Sequence, residues 1–218
     1  QLGEVDYFIS TWEKPCYTQV SRFVDIHAIN GDTIYEDLLS SDENVTVEYL
    51  TSLQGFSLID IENTATMDNV IENASNIPWT IMSPTRLVCQ YYKLWRCNEM
   101  FKEYCRHFGK TYDLIIRLRP DITVENIPTN IDLSKIYLSH MVYADSPALL
   151  NQCINEMIYI SNPTNMDKLC NIFNNFADIW NINIGVGEMM SYKNLQVENL
   201  LDTCELFDFG ITLIRENG

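Results

Sequence analysis

Two arginines and an aspartate stand together at the end of one apolar run, Tyr112-Asp113-Leu114-Ile115-Ile116-Arg117-Leu118-Arg119-Pro120-Asp121. The continuous apolar centre reads as a strand covered on both faces of a sheet. Pro120, which has no amide to donate, stops the ladder. Arg117 and Arg119 alternate with Leu118, so both are predicted to share one side of the strand. Two guanidinium groups so placed can clamp a diphosphate in fork geometry. Asp121, just past the strand, is placed to hold a divalent cation or a sugar hydroxyl. The competing reading is a structural ion-pair cluster, for which an acidic chain offers many carboxylates. Arg86 is another cation in a telling position, the first turn of a helix, where the dipole disfavours positive charge. It is either a phosphate or acceptor contact or simply solvent-exposed.

The elements that must position these groups alternate in type. Val5–Thr11 and Phe56–Ile61 read as short buried strands, rich in aromatic and β-branched residues. Residues 13–55 carry turn signals, with short helices expected around Ile34–Leu39 and Val47–Leu53, and residues 62–82 read as polar and irregular. Ser83-Pro84 is a helix start, a hydroxyl N-cap with proline at the first helical position. Leu87, Tyr91, Leu94, Trp95, Asn98, Phe101, Cys105 and Phe108 follow at three- and four-residue spacing, and Gly109 closes the helix. A long helix running into an apolar central strand is half of an α/β crossover unit. Further strands are expected over Lys135–Tyr143, Ile154–Ser161 and Phe209–Ile214. Helices are expected from Asn162-Pro163, with Met166, Leu169, Cys170, Phe173, Phe176 and Trp180 on the apolar side, and from Gly187-Glu188 to about Leu201. No repeat, low-complexity tract or Gly/Ser linker divides residues 1–218, so one α/β domain is expected.

Composition narrows the partners. The 218 residues hold 14 Lys and Arg against 30 Asp and Glu, a net charge of −16. That balance argues against a duplex nucleic-acid binder, whose affinity comes mostly from cations neutralising phosphates, and against anionic membrane surfaces. No apolar run approaches the roughly 18 residues of a spanning helix. The seven cysteines form no Cys-x-x-Cys pair, and Cys89, Cys97 and Cys105 fall within one expected helix, where they cannot meet. Reduced thiols are therefore expected, which favours a cytoplasmic setting. The alternative is a luminal catalytic domain after removal of an anchor, where Asn44-Val45-Thr46 and Asn73-Ala74-Ser75 would be glycosylation sequons. His27, His107 and His140 show no metal-ligand spacing, and no Ser-His-Asp arrangement, Walker loop or Gly-x-Gly-x-x-Gly pattern is present.

The Tyr112–Asp121 phrase resembles the "YD, three apolar residues, R-x-R-x-D" signature of small GT-A-type glycosyltransferases, found in bacterial polysaccharide loci and in large DNA viruses. Other landmarks follow in the family's order. Val5–Trp12 resembles its early "DVFI-x-TW" strand, and Ser83 to Phe108 the helix before the signature. Asn155-Glu156-Met157-Ile158 resembles an "ND-x-apolar" strand and Met166-Asp167 an "MD" helix start. Gly187-Glu188 resembles a "GE" helix start, and Leu213-Ile214-Arg215 the closing "LIR". The family opens with a further strand and an "SGQLR"-like nucleotide loop, of which only Gln1-Leu2 resembles a remnant, so the first strand is expected to be missing from this chain. A standard GT-A enzyme holds its metal with Asp-x-Asp; here Arg119 stands in the first position and Asp121 alone remains. Asp60-Ile61-Glu62 is an acidic-x-acidic alternative, or an ordinary strand end.

The resemblance implies a single GT-A-like, Rossmann-like domain with a mixed, mostly parallel central sheet flanked by helices. It implies a glycosyltransferase that moves a sugar from a nucleotide-diphospho-sugar to a glycan or glycoprotein acceptor in surface or capsid polysaccharide synthesis. Arg117, Arg119 and Asp121 would stabilise the leaving diphosphate, with Mn²⁺ or Mg²⁺ on Asp121. Thr11 and Trp12 would reach the base or ribose, and Arg86 a phosphate or the acceptor. Glu188 and Glu156 are candidate bases by position, with Asp145 a third; a helix start would keep Glu188 ionised. The rivals are an inactive nucleotide-sugar- or glycan-binding relative, a nucleotidyltransferase and a pure interaction module. A nucleotidyltransferase would ordinarily carry a Gly- and Lys-rich phosphate loop.

Overall fold

The computed structural model describes residues 5–12, 57–119, 122–140 and 152–213, an α/β arrangement of short strands and helices. The helices expected around Ile34–Leu39 and Val47–Leu53 lie outside the described residues. Two compact units emerge: one takes in Ser83–Arg106 with the described residues before Pro78, the other Pro78–Met82 with the described residues from His107 onward.

In the first unit, strands β1 (Phe8–Trp12) and β2 (Leu58–Glu62) pair in parallel, Ser10 opposite Asp60 and Trp12 opposite Glu62. Helix α1 (Thr64–Ser75) occupies a stretch expected to be irregular. Its signal is present but thin. Asn63 caps it by accepting from the Thr66 amide at 3.0 Å, and only Met67, Val70 and Ala74 are buried, at helical spacing among polar neighbours. Helix α2 (Pro84–Phe108) starts and stops where its capping residues predict, with Gly109 at φ 62° in the left-handed conformation that closes a helix. Leu87, Tyr91 and Asn98 of the predicted stripe are buried, whereas Phe108 is 59% exposed. The Phe8 ring meets those of Phe101 and Tyr104 edge-on, at 5.7 and 5.2 Å.

The second unit is built on a four-stranded sheet of β3 (Ile115–Leu118), β5 (Ile136–Ser139), β6 (Ile158–Ser161) and β7 (Cys204–Phe207), while β4 (Ile122–Val124) pairs with β8 (Ile211–Leu213). The sheet order is β3-β6-β5-β7. Here the expectation of a mostly parallel sheet is corrected: β6 is antiparallel to both β3 and β5, and only β5–β7 is parallel. Apolar continuity reveals that a strand is covered on both faces but not which way its neighbours run. Ile158 and Ile160 pack with Tyr137 and Phe209 on one face, joined by Ile116, Ile122 and Val124 among others. Tyr159 projects to the opposite face. There lie α3 (Pro163–Cys170) and α5 (Gly187–Val197), with the short α4 (Phe176–Ile179) between them in sequence. Asn162 caps α3 by accepting from the Asn165 amide at 2.8 Å. The buried Asn194 of α5 donates to the α3 carbonyls of Lys168 and Leu169 at 3.1 and 3.3 Å, so one side chain satisfies part of that helix's open end.

Candidate functional site

Ladder register brings the second unit's charged groups together. Arg117 is directly opposite Tyr159, and its guanidinium lies over that ring at 5.2 Å. Arg119 continues the ladder, its amide donating to the Met157 carbonyl at 3.0 Å. Leu118 between them is 50% exposed, on the other side of the strand. The segment 153–157 leads into β6 wholly buried. Asn155 fixes its turn by accepting from the Met157 amide at 2.8 Å and donating to the His140 carbonyl at 3.0 Å. The Ile154 amide donates to the Glu188 carbonyl at 3.0 Å, tying this segment to the first turn of α5.

Glu156 is thereby buried at 8% exposure, where it accepts from the Ser191 hydroxyl, and that hydroxyl in turn receives the Tyr159 phenol at 3.4 Å. Glu188 has its carboxyl pushed above the ordinary value of 4.5, first by burial and then by the charge of Glu156. Its own amide and Arg119 oppose the shift. Burial and a like charge thus raise the proton affinity of Glu188 against the effect of the helix start. Burial, and then Glu188, likewise raise the Cys153 thiol, which argues against a reactive nucleophile. Burial and Glu156 raise the Tyr159 phenol, keeping it neutral and a hydrogen-bond donor.

One nitrogen stands out. Arg117 Nη1 is buried and has no hydrogen-bond partner among the described residues. A buried donor left unpaired costs on the order of 1–3 kcal/mol, so its retention needs an explanation. The cluster joins four of the residues singled out in the sequence, Arg117, Arg119, Glu156 and Glu188, at one sheet end. Chemically it can receive an anion on the guanidinium side and take up a proton on the carboxylate side.

The remaining predicted residues are placed otherwise. Thr11 and Arg86 belong to the first unit, in β1 and in the first turn of α2, and their side chains, like that of Trp12, lie outside the described set. Asp121 and Asp145 also lie outside the described residues. Asp60 and Glu62, the acidic alternative, share one face of β2 and are engaged by cations. Lys93 Nζ approaches Asp60 at 3.4 Å and pairs closely with Glu62, and Arg96 reaches Asp60 at 3.5 Å. Ser10 donates to Asp60 and Tyr92 to Glu62, each at 2.7 Å.

Among the described residues no group of three His, Cys, Asp or Glu side chains is gathered to hold a metal. Glu156 and Glu188 offer hard oxygen donors, but Ser191 engages one and Arg119 adjoins the other, so they do not form a cation cage. The described cysteines form no disulfide with one another. No described helix is long and apolar enough to cross a membrane.

Sequence reasoning missed Tyr159 and Ser191. A tyrosine between two isoleucines reads as core, and a helical serine is unremarkable. The signal for Tyr159 is that a phenol in a fully buried strand must find a partner. A cleft of about 260 Å³, lined among others by Asp178, Trp180, Lys193 and Gln196, contains none of the predicted residues. Comparison with family models, curated proteins and solved structures finds no match to this chain.

Proposed function

We propose that the chain is a GT-A-type glycosyltransferase, moving a sugar from a nucleotide-diphospho-sugar to a glycan acceptor in surface or capsid polysaccharide synthesis. The observation that best supports this is a buried, unsatisfied guanidinium beside a carboxylate of raised proton affinity, both at the sheet end where the signature resembling that family occurs. The two halves suit the two demands of the reaction. As the bond between the anomeric carbon and the phosphate oxygen breaks, the electron pair leaves with the diphosphate, and Arg117 and Arg119 stabilise that charge. In an inverting transfer the acceptor oxygen bonds the anomeric carbon from the opposite side and its proton passes to Glu188. Such a positioned base is worth about 10²–10⁴-fold in rate. A carboxylate whose affinity for protons is raised is better matched to that task near neutral pH.

Asp121 is the proposed contact for Mn²⁺ or Mg²⁺, and no step above is routed through it. Arg119 in the first position of Asp-x-Asp favours a second reading, an inactive relative that binds a nucleotide sugar or glycan. A panel of UDP-, GDP- and dTDP-sugars, each with Mn²⁺ and with EDTA, separates the two. Selective thermal stabilisation by one nucleotide with slow release of its diphosphate supports the transferase. Stabilisation without turnover in the presence of glycan acceptors supports the inactive relative. No response from any nucleotide sugar by a folded chain refutes the transferase and a nucleotide-sugar-binding relative alike.

A further inference from the structure

We infer that Ser191, backed by Tyr159, is the positioning residue that holds Glu156 against Glu188 and so makes Glu188 the proton acceptor of the pair; the consequence for rate rests on the transferase reading. Glu188 and Ser191 are three residues apart on α5 and therefore on one face, a turn from each other. The carboxylate that Ser191 engages is thus delivered beside Glu188 rather than elsewhere along the helix. Three anchors converge on that geometry. The Tyr159 phenol points its hydroxyl at Ser191 from the centre of the sheet. The Ser191 hydroxyl, so oriented, donates to Glu156 Oε1. The Ile154 amide ties the Glu156 segment to the Glu188 carbonyl at 3.0 Å.

Tyr159 is 3% exposed and Ser191 8%, so water does not compete freely for either hydroxyl. A donor aimed at a buried carboxylate favours its ionised form. Held by that donor, Glu156 sits where it raises the affinity of Glu188 for a proton. The groups that face Glu188 are Arg119 from the end of β3, with Glu156 and Cys153 from the segment before β6. Glu156 and Arg117 act in opposite senses on the Tyr159 phenol. Of these, Glu156 is the one that Ser191 holds.

The test is a carboxyl-carbon NMR titration of ¹³C-glutamate-labelled full chain, with Glu188 assigned by Glu188→Gln, in wild type, Ser191→Ala, Ser191→Thr and Tyr159→Phe. Ser191→Ala is expected to lower the Glu188 midpoint by about half a pH unit or more, roughly threefold in its dissociation constant. Ser191→Thr, which keeps the hydroxyl, restores the wild-type midpoint. Tyr159→Phe shifts it in the same direction by less. With whichever nucleotide sugar the wild type turns over, the acid limb of kcat moves in parallel while KM changes little. Superposed titrations of wild type and Ser191→Ala overturn the inference, as does a Thr variant that behaves like Ala. A wild type that turns over no nucleotide sugar, yet shows the Ser191-dependent shift, would fail the transferase reading alone.

Discussion

Among the described residues, two clusters of charge shielded from solvent occur, one in each unit, and they are built to opposite rules. In the first, Lys93 and Arg96 lie a turn apart on α2 and meet Asp60 and Glu62, which share a face of β2. Ser10 and Tyr92 supply further donors to the same carboxylates. In the second, two carboxylates are held close enough to raise the proton affinity of one, while a buried guanidinium nitrogen finds no acceptor. A cluster that satisfies itself stabilises the fold and leaves little to offer a ligand. One that leaves a buried donor unsatisfied and a carboxylate perturbed gives up stability, the pattern expected where groups are kept for a ligand. The contrast favours the second cluster as the proposed site, since both clusters use the same side-chain types.

The sharpest break should come from Glu188→Gln, which removes the proposed base and is expected to lower turnover at least about 10²-fold. Its stability should move the other way. Glu188's folded proton affinity lies above its ordinary value of 4.5, so the folded chain binds the extra proton. Wild-type stability from this group is fully present below that pH and is lost as pH rises through the folded midpoint. Urea midpoints should therefore show Glu188→Gln gaining on wild type from pH 4.5 to 7. A variant that loses ground across that range would contradict the assignment.

Next in size is Lys93→Ala. The ammonium is 10% exposed and its partners Asp60 and Glu62 16% and 17%. Removing it takes the close cation from Glu62 and leaves Asp60 to Arg96 and Ser10, at a cost of about 3 kcal/mol in chemical denaturation. Arg117→Met should do the reverse, gaining about 1 kcal/mol by deleting an unsatisfied donor while weakening nucleotide binding. Equal destabilisation by the two cation deletions would erase the distinction between the clusters. At the margin, Glu103 pairs with Arg96 at 3.9 Å and is 56% exposed. Glu103→Gln should shift stability by no more than about 0.5 kcal/mol.

Much of this was legible in the sequence where a local rule was strong. Ser83-Pro84 and Gly109 bounded α2, and Asn162-Pro163 and Gly187 opened α3 and α5. Elements with little apolar surface escaped: α1 buries three side chains, β4 spans three residues, and β7 exposes Glu205 and Leu206. Strand direction also escaped, being a property of pairing and not of any single run. At the proposed site, Arg117 and Arg119 stood out because charge at a strand end is conspicuous, whereas Glu156 and Glu188 were singled out by their positions within the family resemblance. Tyr159 and Ser191 were not, because their roles depend on long-range pairing that places α5 against β6.

The parallel union of β5 with β7 has a consequence for how the chain is made. The β5 edge opposite β6 pairs with β7, a strand close to the end of the described sequence. During synthesis β5 must wait, with that edge unpaired, until the chain through Phe207 has left the ribosome. Unpaired edges recruit other strands, and distant pairings form slowly. Production of this protein should therefore be limited by aggregation of unfinished chains, and slower translation after residue 140 should lower its yield of soluble product.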